Sequence, residues 1–408
     1  MAACAWGWTR QTRCSARRRA TVEHPRGTTA RSPTVPGRWR RALIVGLLAL
    51  GASACGGAGP PSPTGPTTGA SAAATPGATG APTAPGRGGT PTTPGQPFHV
   101  VALDPGIIPA VPLYVALDRG YFAEEGLEVE LQPSGEAATG AQMLAVGQAA
   151  FNMAVPDPVL FNALARNIDL KLLASATVNG PDDRPAAFLV RSDLIASGQY
   201  ASPADLKGQT IATPAASSEF YVERVLRRGG LTLDDVQRVI MPVPDILSAL
   251  ASQRIAAAWE VEPLITAALR RNLATVIAGT GELFPGANGM NLVMAGGFGR
   301  EQPEVARRFV VAYLRGLRDY YHAFNKGDGA REPVIQALVA HTVVKDPALY
   351  DVMGMHTVDP NGALNPASWD AFQEFYLRVG LQQQRVDLTR HIDESYLQAA
   401  LDRLGREP

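Results

Sequence analysis

A chain of 408 residues exceeds the roughly 250 to 300 residues at which a single hydrophobic core stops growing, so more than one core is expected. The formal net charge of zero conceals two unlike parts: residues 1–54 carry ten Arg and one Glu, leaving 27 basic against 36 acidic side chains, a net of −9, in the remainder. That mildly acidic body gives no footing for nucleic-acid binding, and because Cys4, Cys14 and Cys55 are the only cysteines, residues 56–408 can form neither a disulfide nor a thiolate metal site.

The first 54 residues read as an export signal. Arg38-Trp39-Arg40-Arg41 precedes the apolar run Ala42-Leu43-Ile44-Val45-Gly46-Leu47-Leu48-Ala49-Leu50, and the small residues Gly51-Ala52-Ser53-Ala54 lead to Cys55. Ala42 to Ala54 is 13 residues, short of the about 20 needed to span a bilayer, so a cleaved signal is expected rather than a permanent anchor. Residues 1–34 are Arg-rich and lack apolar periodicity, which suggests a true start near Val35. Cys55 resembles the lipidated cysteine of bacterial lipoproteins, which implies anchoring to the outer face of the cytoplasmic membrane. Residues 56–97 are almost entirely Gly, Pro, Ala, Ser and Thr, a composition that predicts a disordered tether.

Foldable sequence starts at Phe98. Strands are predicted over 98–103, 127–131, 149–155 and 170–178, alternating with helices over 112–122, 136–146 and 159–166. A second set follows, with strands over 210–213, 236–241, 256–259 and 274–278 and helices over 217–228, 245–251 and 262–270. Such alternation implies parallel crossover units, an α/β fold, and ligands at the carboxyl ends of the strands. The extended segments Phe188-Leu189-Val190-Arg191 and Asn291-Leu292-Val293-Met294-Ala295 bracket the second set and read as two crossings between lobes. Lobe 1 would comprise residues 98–185 and 290–408, and lobe 2 residues 186–289, with the helices after residue 302 wrapping lobe 1.

The run from Gly106 to Leu127, GIIPAVPLYVALDRGYFAEEGL, resembles the opening of the nitrate, sulfonate, taurine and thiamine-pyrimidine group of periplasmic-type binding proteins. Gly135-Glu136-Ala137-Ala138, Leu206-Lys207-Gly208-Gln209-Thr210-Ile211-Ala212 and Trp259-Glu260-Val261-Glu262-Pro263 follow in the same order. The resemblance implies a two-lobe, hinged, type II binding fold that captures a small molecule. It also implies an ABC permease and ATPase as partners, and no cofactor, metal or catalysis; a monomer is expected.

In that family the site is built from loops after strands. Here these supply Asp104, Gly106 and Ile107, then Ser134, Gly135 and Glu136, then Pro156 and Asp157, then Thr213, Ser217, Ser218 and Phe220, and finally Trp259, Glu260 and Glu262, with Tyr114 on the first helix. Several of these loops lead into helices, whose free N–H groups can bind polar ligand atoms. Each residue also has a structural reading: Tyr114 as core, Ser217 and Ser218 as helix caps, Trp259 as packing between lobes. Asp104 and Asp157 fit turns beside proline, Glu260 and Glu262 fit a first helical turn, and Asp182, Asp183 and Arg184 fit a solvated turn.

The same loops hold Asp104, Glu136, Asp157, Glu219, Glu260 and Glu262 but no Lys or Arg. That balance favours a neutral or amine-bearing planar heterocycle of the thiamine-pyrimidine kind over nitrate, taurine or sulfonates. Two other readings compete: a pyrimidine-synthase-like enzyme, which goes with a cysteine-rich motif absent after Cys55, and a ligand-binding sensor domain. His99, His322, His341, His356 and His391 show no metal-ligand spacing.

Overall fold

A computed structural model describes residues 96–135 and 137–408. The signal segment, Cys55, the linker through residue 95 and the candidate Glu136 lie outside the described residues. Among the described residues ten strands form two sheets of five. The first sheet holds β1 (Phe98–Asp104), β2 (Leu127–Pro133), β3 (Phe151–Ala154), β4 (Leu170–Ser175) and β10 (Asn291–Ala295), in the order β2-β1-β3-β10-β4. The second holds β5 (Ala186–Arg191), β6 (Thr210–Thr213), β7 (Gln237–Ile240), β8 (Ala257–Val261) and β9 (Ala274–Gly279), in the order β7-β6-β8-β5-β9.

β1 pairs in parallel with β2 and β3, and β6 in parallel with β7 and β8. A helix is long enough to carry the chain back to the same edge, which is what parallel pairing requires. β5 and β10 run antiparallel to both of their neighbours. They are the segments expected to cross between lobes, and the structure places both inside sheets instead. Their physical signature agrees: Phe188, Leu189 and Val190, and Leu292, Val293 and Met294, are all buried, as in a strand covered on both faces. The connections proper are the stretches just before them, tied together by bridges from Val178 to Asn288 and to Thr357.

Local chemistry sets the helix limits. The predicted helix over 112–122 is two, Val111–Asp118 and Tyr121–Glu124, divided at Gly120, whose φ of 74° is a left-handed conformation. Asp157 caps the helix Pro158–Ala165 by accepting from Leu160 N at 2.8 Å. After β10 the described chain is helical, and its longest helix, Pro303–Tyr320, packs on Val111–Asp118. The C-terminal segment finishes the β4 edge: Leu172 N donates to His391 O at 2.7 Å and Asp393 N to Leu172 O at 3.0 Å. An otherwise open row of backbone groups is thereby satisfied.

Asp183, expected in a solvated turn, is instead a fastener of the connection region. Its carboxylate accepts from Gly180 N at 2.9 Å, Thr357 N at 2.9 Å and Thr357 Oγ1 at 2.7 Å. With Gly281 N donating to Asp183 O at 3.2 Å, three chain segments meet there rather than the two expected from sequence.

Candidate ligand-binding site

A cavity of about 300 Å³ lies where strand ends of both sheets meet the connecting segments. From the first sheet come Ile107, after β1, and Val155, Pro156 and Asp157, after β3; from the second come Ser217 and Ser218, after β6, and Trp259 and Val261 of β8. The connections add Thr177, Asn179, Thr280, Asn288 and Met290, and the C-terminal half adds His356, Phe372 and Tyr376.

One wall is aromatic. Tyr221 stacks on Trp259 with ring centroids 4.6 Å apart and planes 7° from parallel. Phe372 and Tyr376 belong to the helix Pro366–Arg378, and Tyr376 Oη donates to Pro156 O at 3.3 Å. The polar part is held by bonds that leave few degrees of freedom. Asn179 Nδ2 donates to Phe284 O at 3.0 Å, and Asn288 Nδ2 donates to Ser175 Oγ at 3.0 Å while its Oδ1 accepts from Asn365 N. Burial pushes the His356 imidazole down to about 4, so it is neutral at pH 7 and can donate or accept. Burial raises the Asp157 carboxyl above its ordinary value, partly offset by N–H groups of its helix. Among the described lining residues Asp157 is the one carboxylate, and none is Lys or Arg.

The sequence candidates divide. Ile107, Pro156, Asp157, Ser217, Ser218 and Trp259 reach the cavity. Ser218 makes no side-chain cap bond, so its hydroxyl is not spent on the helix Glu219–Arg228. Ser134 and Gly135 line a smaller adjoining pocket. The others are placed elsewhere. Asp104 accepts from Gly106 N at 2.9 Å and from the hydroxyl of fully buried Tyr114, whose ring stacks on His341; together these shape the loop behind Ile107. Thr213 is buried. Phe220 lies in a core cluster, 4.3 Å from Phe372, with the Arg224 guanidinium 3.5 Å above its ring.

Strand alternation turns Glu260 away from Trp259 and Val261 into the opposite face, where it is 1% exposed and Oε2 has no partner. Burial pushes its carboxyl up to about 7. Glu262 is engaged by Thr266 N at 3.0 Å, Thr266 Oγ1 at 3.0 Å and Gly354 N at 2.9 Å. Glu219 pairs with Arg238 at 2.8 Å. Among the described residues the acidic character expected of the site thus contracts to Asp157, with Glu136 outside them, and no Lys or Arg is found there. Asn179, Asn288, Tyr221, His356, Phe372 and Tyr376 were not among the sequence candidates; Tyr221 lies on the helix after β6, one residue past Phe220, while the others come from the connections and the C-terminal half, where only the aromatic density of 372–376 hinted at a role.

The comparisons accord with this architecture. A family model described as NMT1/THI5-like matches residues 109–323. A binding protein of Brucella abortus is 26% identical over 210 residues, 50% of this chain and 61% of the relative, so the chain spans under two thirds of that relative's length. The formylaminopyrimidine-binding protein of Halalkalibacterium halodurans is 34% identical over 102 residues, 25% of this chain and 28% of the relative. Among solved structures, the periplasmic aliphatic sulphonate-binding protein of Escherichia coli superposes with a TM-score of 0.59 at 18% identity, covering 74% of this chain and 92% of that one. The fold is therefore the α/β, two-lobe, periplasmic-binding-protein type.

Proposed function

The chain belongs to the NMT1/THI5-like family, and from that premise we propose that it is the extracytoplasmic substrate-binding subunit of an ATP-driven importer, closing around a neutral or amine-bearing planar nitrogen heterocycle. The observation that carries the ligand class is the lining by the described residues: stacked Trp259 and Tyr221, a single carboxylate at Asp157, and no cation. An aromatic face holds a flat ring, and a carboxylate accepts its N–H donors. An oxyanion would meet Asp157 at a helix N-terminus that this carboxylate already caps, so the roughly half positive charge of that terminus is spoken for. The name of the Halalkalibacterium relative points the same way; the sulphonate-binding neighbour supports the fold alone.

Calorimetric titration of the purified protein with aminopyrimidines, taurine, alkanesulfonates and nitrate tests this reading. Heat from a pyrimidine and none from the anions is expected; micromolar binding of a sulfonate with no heat from any heterocycle overturns the ligand class.

We propose that the protein is held at the membrane through Cys55, a reading that the basic segment, the short apolar run and the cysteine support. No helix among the described residues is long and apolar enough to cross a membrane. Cys55→Ser should release the protein from membrane fractions. Retention of that variant would make the run from Ala42 a true anchor.

A further inference from the structure

Behind the main cavity lies an inner pocket of about 160 Å³, under the first sheet's β3 and β10, and its polar content is out of keeping with its position. The two spaces share Ile107, Val155, Asp157 and Met290 as walls, so the inner pocket adjoins the cleft behind these side chains. Most of its lining is apolar, including Leu144, Leu160, Leu170 and Val293. In its floor stands Asn152, 7% exposed, whose Oδ1 is buried and has no hydrogen-bond partner.

Asn152 has company. It pairs directly with Val293 across the antiparallel β3–β10 ladder, and Asn291 pairs with Ala154 one step along, so all four side chains share one face. Val293 and Ala154 both line the pocket. Asn291 is fully buried, and neither its Oδ1 nor its Nδ2 has a partner. Asn152 Oδ1 thus stands unsatisfied at the pocket, with two more unpaired polar atoms on Asn291 on the same face of the sheet, and a buried acceptor of this kind costs stability unless something pairs with it.

We infer that the inner pocket is a specificity subsite for a short side arm of the bound heterocycle, with Asn152 Oδ1 accepting a hydrogen bond from an N–H or O–H at the arm's end. The inference rests on the planar-heterocycle reading of the main cavity. The ring lies against Trp259, and the arm passes the walls common to both spaces, where Asp157 also faces it. The pocket's volume equals that of about five waters of liquid, enough for a substituent of a few atoms and too little for a second ring system. A buried acceptor that gains its partner only from the correct ligand discriminates strongly, because a ligand lacking the donor leaves the acceptor desolvated and unpaired.

A matched pair of probes tests this: 4-amino-2-methylpyrimidines carrying either an aminomethyl or a methyl group at the 5-position, titrated calorimetrically into the native chain and into Asn152→Leu. The aminomethyl compound should bind the native chain at least about tenfold more tightly, and that ratio should fall by at least roughly fivefold in the variant, what remains being the attraction of Asp157 for the amine. With selective ¹⁵N-asparagine labelling of the native chain, the aminomethyl compound should move a buried asparagine side-chain amide resonance that the methyl compound leaves in place. This second readout stands even if Asn152→Leu fails to fold.

Equal affinities for the two probes, or a ratio unchanged in the variant, would mean that the pocket holds only water, and the subsite is wrong while the heterocycle reading stands. Absence of binding by both pyrimidines, with binding by an anion, would overturn the heterocycle reading and the subsite with it.

Discussion

Both sheets put an antiparallel strand in fourth place, β10 in the first and β5 in the second, and both shift register once along its contact with the terminal strand. At the cleft they diverge. The first sheet contributes Ile107, Asp157 and the asparagine-floored inner pocket, so its end is a hydrogen-bonding surface with depth. The second contributes Trp259, backed by Tyr221, so its end is a flat aromatic plate. One plan of chain reversal thus supports two kinds of surface, and the difference lies in a few residues beyond the strand ends. A flat ligand held between plate and polar floor needs both, and each half can be altered alone.

The largest expected effect is on stability and lies on the second sheet's far face. Glu260 is buried without a cation, and its carboxyl is raised from 4.5 to about 7 by burial, with the nearby Glu262 charge adding to it. Between those values the native chain holds more protons than the unfolded one, so stability falls as pH rises through that window and is lowest above it. Glu260→Gln should remove this slope and stabilise the protein at pH 8 by as much as ~3 kcal/mol, with little change at pH 4. Urea unfolding at several pH values measures it. A difference between variant and native chain that does not change with pH would show that Glu260 has an unseen partner; taking the difference cancels the opposite slope from His356, whose imidazole is lowered to about 4.

Breaking the aromatic plate comes next. Trp259→Ala should weaken a pyrimidine by about 10- to 100-fold, the ~1–3 kcal/mol typical of a ring stacked on a base, with Trp259→Phe intermediate. Titration against a pyrimidine that binds the native chain decides it. An unchanged affinity would make Trp259 a packing residue and leave the second sheet no direct part in recognition.

The polar floor is tested by Asp157→Asn. Asparagine caps a helix as well as aspartate does, so the helix Pro158–Ala165 should persist while the charge is lost. An amine-bearing heterocycle should lose about tenfold in affinity, as for a hydrogen bond to a charged group. Tighter binding of an anion by the variant, with no loss for the heterocycle, would invert the roles assigned to the two sheets.

The strands were legible because their short length, turn residues at their ends and, in β2, strict alternation separate them from helices, and eight of them are found where this pattern placed them. The pairing of β5 and β10 was not: a run buried on both faces, such as Phe188-Leu189-Val190, says nothing about its neighbours or direction. Site positions one or two residues beyond a strand, such as Asp157 and Ser217, follow from the general rule for α/β sheets. Asn179, Asn288 and His356 do not, since they arrive from connections whose course depends on tertiary bonds such as that of Asp183 to Thr357. Glu260 was misplaced although the signal was present. With Trp259 and Val261 facing the cleft, alternation alone turns Glu260 away.

The smallest expected effect concerns the bond between the halves. Arg378, on the helix that carries Phe372 and Tyr376, reaches Glu223 on the helix after β6 at 2.7 Å, and the same carboxylate is 3.2 Å from Arg227. Because Arg227 remains, Arg378→Met would not strand Glu223 as an unpaired buried charge, the circumstance that makes loss of a buried pair expensive. The guanidinium is half exposed, at 49%, where a single pair contributes ~0–1 kcal/mol. Methionine also preserves the stem that packs beside Phe375, over whose ring the Arg378 guanidinium sits at 5.3 Å. Pyrimidine affinity should therefore change by less than about fivefold, and the difference between native chain and variant should shrink at high salt. Phe220 packed on Phe372 joins the same two helices without charge, which is why the ion pair is expected to matter little. A loss above about tenfold that salt abolishes would show the reverse: the aromatic contact alone does not hold plate and floor together, and the halves depend on Arg378 to close.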